Sequence, residues 1–223
     1  MKHRFFLFLK VAVPVVIGFL IAYQLILRPW HHRWGASDAE VQGTLAGDNL
    51  IAGTCQFTHG ITINTPPDRI WPWLMQIGQD RSGFYSYTPL ENLFGCEMPK
   101  VERLNPDWKP RAEEETVWFC APKKFKGEGY MVAAVVEPEK AFVMVSGPDW
   151  SALQTGNHAA GGSWGFILEP IDASHTRLLA RLRGGTPPTL AARVVGAAFW
   201  DPAHFFMERK MLKTIKRLAE TTS

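Results

Sequence analysis

The chain has 223 residues, of which 46% are hydrophobic and 20% are charged, and its formal net charge at pH 7 is +3. This length suffices for one good-sized core with an additional segment, and the balance of residue types is that of an ordinary globular protein. So small a net charge, with no basic run interleaved with stacking aromatics, argues against nucleic acid as a partner.

The first 34 residues have the pattern of a membrane anchor. Val11–Leu27 carries no charged residue, and at about 1.5 Å per residue a helix over it spans roughly 26 Å, near the lower limit for a membrane span. A cleavable signal peptide is the alternative, but no small-x-small site follows Leu27. Basic residues before the run slightly outnumber those after it. We therefore expect a single-pass protein of the cell membrane, anchored by residues 1–34, with its body outside the cytoplasm.

Residues 35–56 are polar and rich in small residues, which indicates a linker packing on the domain or, alternatively, an unstructured stalk. Strict alternation of apolar and polar residues begins after it and predicts a half-buried strand. The residues on one side of that strand are Phe57, His59, Ile61 and Ile63. A short helix with Pro72 inside it should follow and end near Gly78.

The middle of the chain reads as a series of strands with short, turn-like connections, which predicts an antiparallel meander. The strand candidates are Lys100–Leu104, Thr116–Ala121, Tyr130–Val136, Phe142–Ser146, Ser163–Glu169 and Thr176–Arg183. In the last strand, Arg177, Arg181 and Arg183 alternate with apolar residues, so we expect one solvated and one buried face.

The longest helical pattern of the body covers Thr189–Glu220. We expect two helical pieces that meet at Asp201–Pro202, with Asp201 capping the second piece. That piece carries one apolar face and is otherwise charged, as in a helix buried along one side. Its first half is rich in aromatic residues. They either face something bulkier than a close-packed core or are ordinary core aromatics.

Four stretches carry a family resemblance: Trp34–Glu40, Ile70–Gln79, Gly83–Tyr87 with Leu90–Leu93, and Pro202–Leu212. In this order they resemble a bacterial, membrane-anchored branch of unassigned role in the START-related, polyketide cyclase/dehydrase (SRPBCC) superfamily. The resemblance covers the chain from about Trp34 to Glu220. It implies an α+β helix-grip fold over residues 57–223, in which a curved antiparallel sheet wraps around the long C-terminal helix. The anchor would add one transmembrane helix before it.

The resemblance also implies an apolar cavity between the sheet and the C-terminal helix. The expected walls are Trp118, Trp164, Phe199, Phe205, Tyr85 and Tyr87. The expected polar groups at the cavity are Arg81, Glu91, His204 and Glu208. Superfamily members include lipid carriers, receptors and cyclases, so the fold alone does not assign a function.

No convincing catalytic motif is present. Gly161-Gly162-Ser163-Trp164-Gly165 has the letters of a nucleophile elbow, but a strand follows the serine where a helix is needed, which argues against a hydrolase. Asp201, His204 and Glu208 share nearby helical turns, yet no second helix offers matching ligands, so no metal and no cofactor is expected. In that interpretation Glu208 pairs with a lysine or an arginine.

The three cysteines, Cys55, Cys96 and Cys120, are widely spaced. They form no Cys-x-x-Cys pair and no zinc-finger spacing with histidine, and at most one disulfide can form. The disulfide state therefore stays open.

These patterns favour a membrane-tethered domain that binds an apolar small molecule or a lipid in an internal cavity. One alternative is a cyclase-like or dehydrase-like enzyme that uses Glu91, Tyr85, His204 or Glu208 as acid or base in the same cavity. The other is an interaction or structural domain whose cavity is filled by its own side chains.

Overall fold

A computed structural model of the chain describes residues 10, 14, 15, 18, 19, 21–156, 161–185 and 187–221. The strands are β1 Thr54–Ile63, β2 Thr116–Trp118, β3 Tyr130–Glu137, β4 Ala141–Ser146, β5 Ser163–Pro170 and β6 Thr176–Gly184. The α-helices are α1 Arg28–His32, α2 Asp38–Gln42, α3 Pro67–Met75, α4 Thr88–Leu93, α5 Gly147–Gln154, α6 Leu190–Val195 and α7 Asp201–Thr221. Tyr23–Leu27 and Gly196–Trp200 are π-helical turns, and Phe125–Gly127 is a short 3₁₀ turn.

The described strands form one curved antiparallel sheet in the order β1-β6-β5-β4-β3-β2, so the first strand pairs with the last. Helix α7 packs against β1 and against α3. The protein is therefore an α+β protein in which a long C-terminal helix lies on a six-stranded sheet, as expected for a helix-grip fold.

Most of the predicted strands are confirmed: alternation of apolar and polar residues marks β1 and β6, and short apolar runs between turn-like breaks mark β3 to β5. The strand predicted at Lys100–Leu104 is wrong, since that segment is irregular. Strand β2 is shorter than predicted, and α5 was not expected. Helix α5 follows Ser146, whose hydroxyl accepts from the Asp149 backbone N–H as an N-cap.

The core lies between the sheet and the layer formed by α3 and α7. Its fully buried side chains include Trp73, Phe142, Phe166, Leu178, Leu212 and Ile215. Burial of each large apolar side chain contributes about 1.5–3 kcal/mol. The sheet and the C-terminal helix are thus held together chiefly by apolar contact.

The C-terminal helical region is continuous across Asp201. Asp201 has helical dihedrals, φ −60° and ψ −52°, so the predicted cap and restart at Asp201–Pro202 are wrong. Pro202 follows the π-helical turn, whose wider ring relieves the clash of the proline with the preceding carbonyl. The Asp201 carboxylate instead accepts hydrogen bonds from Arg28 Nε at 2.7 Å and His32 Nε2 at 2.9 Å.

Within the described residues, no helix is long and apolar enough to cross a membrane. The predicted localisation, as a single-pass protein of the cell membrane with its body outside the cytoplasm, is wrong on this finding. The C-terminal part of this segment packs on the domain. The Tyr23 hydroxyl donates to the Ala197 carbonyl oxygen at 2.7 Å, and Arg28 donates to Asp201. Residues 11–13, 16, 17 and 20 of the expected span lie outside the described residues.

The face of β6 that was expected to be solvated is covered by residues 37–48. Arg181, in the middle of that face, is only 4% exposed. Its guanidinium donates to the carbonyl oxygens of Gly43 (2.8 Å) and Val41 (3.2 Å) and to Asp48 Oδ2 (2.6 Å). The expectation of a wet face is wrong at Arg181, because the covering segment supplies the acceptors that a buried guanidinium needs.

A disulfide joins Cys96 to Cys120. The two cysteines are 24 residues apart in sequence, one shortly after α4 and the other shortly after β2. Closing the loop between them restricts the unfolded chain.

Candidate functional site

A surface cleft of about 420 Å³ lies between α3 and the segment 104–110. Its walls are mostly apolar and include Trp71, Pro72, Met75, Leu104, Pro106, Trp108 and Pro110. Two indole rings and three prolines give it rigid sides that need little ordering when a ligand enters. Its size is within the range of small-molecule sites.

Two polar side chains line the same cleft. Gln76 Oε1 accepts the Asn105 backbone N–H at 2.8 Å, which fixes the orientation of the amide. Gln76 Nε2 then has no hydrogen-bond partner within the described part of the chain. Arg81 Nη1 is held by the carbonyl oxygens of Met75 (2.7 Å) and Lys109 (2.9 Å). Because the Gln76 amide nitrogen is itself buried, the donor that the cleft offers beside its apolar wall is the Arg81 guanidinium.

A second site lies where α7 crosses β1. His59 comes from β1, and His204 and Glu208 come from α7, one helical turn apart. Strand alternation turns His59 to the same side as Phe57 and Ile63, toward the core. His59 and Glu208 are buried, whereas 24% of the His204 side chain is exposed. We call these three residues the histidine–glutamate cluster.

Each polar atom of the buried pair has a defined partner. His59 Nδ1 hydrogen-bonds Glu208 Oε2, and His59 Nε2 lies 2.6 Å from the His31 carbonyl oxygen. The Trp164 indole N–H donates to Glu208 Oε1 at 2.5 Å. His204 Nε2 is 3.5 Å from Glu208 Oε2, an ion-pair distance without the geometry of a hydrogen bond.

These contacts fix the charges in the cluster. Burial raises the pKa of Glu208, but His204 and His59 outweigh it, so the pKa lies well below its usual range. Burial lowers the pKa of His59, and the Glu208 carboxylate with two hydrogen bonds more than reverses this, so the pKa is raised. His59 faces a carbonyl on one side and a carboxylate on the other, so both ring nitrogens act as donors. The pair is thus a buried imidazolium–carboxylate pair.

The predicted cavity walls lie in different surroundings. Trp164 stacks with Phe84 and Phe119 in the core, at ring-centroid distances of 5.7 and 5.9 Å. Phe205 is 2% exposed and stacks on His31 at 4.4 Å. Trp118 is half-buried, whereas Phe199 is 50% exposed.

The two predicted tyrosines differ as well. The Tyr85 hydroxyl donates to the Trp73 carbonyl oxygen at 3.1 Å, and burial raises the pKa of Tyr85 to about 12. Tyr87 is 45% exposed. Neither tyrosine lines the 420 Å³ cleft, and the internal cavity stays a prediction.

Of the four predicted polar groups, Arg81 lines the cleft, and His204 and Glu208 meet in the cluster. Glu91 is separate on α4, where burial raises its pKa to about 7 and its Oε2 has no hydrogen-bond partner among the described residues. The expected pairing of Glu208 with a lysine or arginine is wrong, because its side chain points inward to His59 and Trp164.

The sequence interpretation missed His59 and the walls of the cleft. The signal for His59 was present, because a histidine on the buried side of an alternating strand needs a polar partner in the core. Trp71 was visible as part of a family-like stretch, but nothing in the sequence paired it with Trp108.

No family model and no curated protein sequence matches this chain. Solved structures do match. Protein MLL2253 from Mesorhizobium loti is 17% identical, with 74% of this chain and 98% of that chain covered and a TM-score of 0.36. The Aha1 dimer from Colwellia psychrerythraea is 16% identical, with 74% and 95% covered and a TM-score of 0.38.

A third match is the polyketide cyclase-like protein Cgl2372 from Corynebacterium glutamicum. It is 16% identical, with 74% of this chain and 85% of that chain covered and a TM-score of 0.32. Likeness at these identities and TM-scores carries no inference about what this chain binds or does.

Proposed function

We propose that this protein binds an apolar small molecule, and that the cleft between α3 and the segment 104–110 is the binding site. The observation that carries the proposal is a cleft of about 420 Å³ whose facing walls include Trp71 and Trp108. Ligand sites in proteins are typically apolar hollows of this size with a few placed polar groups. The resemblance to the START-related superfamily implies the same class of ligand.

The polar groups narrow the class of ligand. Arg81 is a hydrogen-bond donor at the cleft wall, so it matches a hydrogen-bond acceptor on the ligand. The indole faces and prolines favour a flat or ring-shaped apolar body. We therefore propose a cyclic apolar molecule that carries a carbonyl or carboxylate group.

An internal cavity between the sheet and α7 is the second location to test. Its proposed walls include Trp164 and Phe205, which now pack against neighbouring rings. Ligand entry there requires those rings to move apart, whereas the cleft is already open. An acid–base enzyme finds less support, because no described contact joins Glu91 or Tyr85 to the histidine–glutamate cluster.

The test is saturable binding of N-phenyl-1-naphthylamine, a neutral apolar fluorescent probe, to the full chain. Leu104→Arg places a long charged side chain on the cleft wall and should weaken binding at least about tenfold, or about 1.4 kcal/mol. Leu104 is half-buried, so this variant should still fold, which circular dichroism checks.

The matched control is Trp200→Ser. Trp200 is 63% exposed on the C-terminal helical region, where Leu190 and Phe206 are also exposed, at 77% and 55%. Exposed apolar side chains can adsorb an apolar probe, so the control separates surface adsorption from cleft binding. Probe binding that survives Leu104→Arg would place the ligand elsewhere, and no saturable binding to the parent chain would sink the proposal.

A further inference from the structure

The histidine–glutamate cluster also brings together three side chains of the types that bind metal ions. His59, His204 and Glu208 each offer one ligand atom, and these atoms all lie within 4.8 Å of one another. We infer that the three side chains form a binding site for a divalent transition-metal ion, with Zn²⁺ as the best-matched ion. This site is separate from the proposed apolar cleft and does not rest on it.

The donor set suits such an ion. Two imidazoles and one carboxylate are a common ligand set of zinc, and imidazole also suits iron, copper and nickel. Calcium and magnesium, by contrast, prefer oxygen ligands alone. In a tetrahedral zinc site with Zn–N bonds near 2.0–2.1 Å, ligand atoms lie about 3.4 Å apart. The separation of 3.5 Å between His204 Nε2 and Glu208 Oε2 already fits this spacing, whereas His59 Nδ1 and Glu208 Oε2 are in hydrogen-bond contact and would move apart around the ion.

The outer hydrogen bonds hold two of the ligands in a suitable orientation. His59 Nε2 faces the His31 carbonyl oxygen at 2.6 Å, so Nδ1 is directed at the centre of the cluster. Metal-binding histidines almost always donate their other ring N–H in this way. A bound ion would replace the proton that Nδ1 shares with Glu208, and that proton would be released to solvent. Trp164 Nε1 holds Glu208 Oε1 at 2.5 Å and leaves Oε2 between the two imidazoles.

The third ligand, His204, is the one that can change its orientation and the one that solvent reaches. His204 Nε2 has no hydrogen-bond partner among the described residues, and about a quarter of the side chain is exposed. Its ring can therefore rotate toward His59 without breaking a hydrogen bond of that nitrogen. Three protein ligands leave one tetrahedral position for water or a small anion, which is the arrangement of zinc sites that are open to chemistry.

The test is a Zn²⁺ titration of the full chain by isothermal calorimetry at pH 7, after treatment with EDTA and dialysis. We expect one Zn²⁺ per chain. His204→Ala should weaken binding about 100-fold, and Trp164→Phe, which removes only the outer hydrogen bond, about 10-fold. Co²⁺ bound at the same site should give the strong visible absorption of a tetrahedral ion in the parent and not in His204→Ala.

His175→Ala is the matched control, because His175 is an exposed histidine paired with Asp172 and lies outside the cluster. Its Zn²⁺ affinity should equal that of the parent. If His204→Ala does not fold by circular dichroism, His204→Gln replaces it.

Three outcomes would overturn the inference: no stoichiometric uptake by the parent, equal uptake by the His204 variant, or uptake lost only in His32→Ala. The last outcome would locate the ion at His32 and Asp201 instead.

Discussion

Two buried glutamates differ in their surroundings, and the difference shows what decides the charge of a buried carboxyl group. Glu208 on α7 is 2% exposed and meets His59, His204 and Trp164. Glu91 on α4 is 6% exposed, and its Oε2 has no hydrogen-bond partner among the described residues.

Burial acts in the same direction at both positions and disfavours the charged form. At Glu208 the neighbouring histidines and the donors outweigh burial, so the pKa falls below its usual range. At Glu91 burial acts without opposition and raises the pKa to about 7. A partner, rather than depth, therefore decides whether a buried glutamate is ionised at neutral pH.

Removing the charge of Glu208 should have the largest effect. Glu208→Gln leaves a buried imidazolium at His59 without its counter-ion, and the expected loss is about 3–5 kcal/mol of unfolding free energy. Urea denaturation at pH 7 with EDTA measures it. Glu220→Gln is the control on the same helix, where a partly exposed pair with Lys216 should contribute less than about 1 kcal/mol. A loss below about 1 kcal/mol in Glu208→Gln would contradict a charged pair.

The same change at Glu91 should have the opposite sign. A carboxyl group whose pKa is raised by folding contributes stability that is complete below its unfolded pKa of about 4.3 and is lost as pH rises through its folded pKa, here about 7. Above pH 7, Glu91→Gln should therefore be more stable than the parent by up to roughly 4 kcal/mol.

At pH 4 the Glu91→Gln variant and the parent should be nearly equal, since the glutamate is then neutral in the folded chain and mostly neutral in the unfolded chain. Urea denaturation of both proteins from pH 4 to pH 8 provides the measurement. Parallel curves over that range would show that Glu91 has the same pKa in both states.

Removing one donor from Glu208 should cost less than removing its charge. Trp164→Phe retains the stacked aromatic packing and deletes the indole N–H that Glu208 Oε1 accepts. A hydrogen bond to a charged group contributes about 1.5–3 kcal/mol. The midpoint of urea denaturation should fall accordingly, and Phe166→Leu, which changes a buried ring without a polar atom, controls for packing. An unchanged midpoint in Trp164→Phe would mean that the indole bond does not stabilise the carboxylate.

The smallest effect is expected at His204. Its Nε2 lies 3.5 Å from Glu208 Oε2 without a hydrogen bond, and its side chain is partly exposed. With EDTA present, His204→Ala should cost less than the value of about 1.5–3 kcal/mol expected for the indole hydrogen bond, because the His204 pair has no hydrogen bond and its histidine is partly exposed. A loss as large as that of Glu208→Gln would make His204 a full member of the buried pair.

Much of the fold follows from local patterns in the sequence. Strict alternation identifies β1 and β6, and the helical period identifies α7, since each element buries one face. The irregular segment 100–110 and the short helix α5 could not be predicted in this way. Their conformations depend on contacts and caps that have no period.

The sites depend on long-range pairs that no local pattern contains. His59 and Glu208 are 149 residues apart in sequence. A polar residue on the buried face of its element needs a hydrogen-bond partner, but only the crossing of α7 over β1 brings these two side chains together. The cleft combines Trp71 of α3 with Trp108 of an irregular segment, so its existence depends on how that segment folds back.

Residues 37–48, which cover one face of β6, are synthesised long before the strand that they cover. Asp48 and the carbonyl oxygen of Gly43 are translated more than 130 residues before Arg181, with which they bond. At about 5–20 residues per second, the segment waits on the order of ten seconds for its partner to be made. β1 waits equally long for β6, because the two strands are neighbours in the sheet. A nascent chain that is halted before β6 therefore has an N-terminal segment without its guanidinium and a first strand without its neighbour.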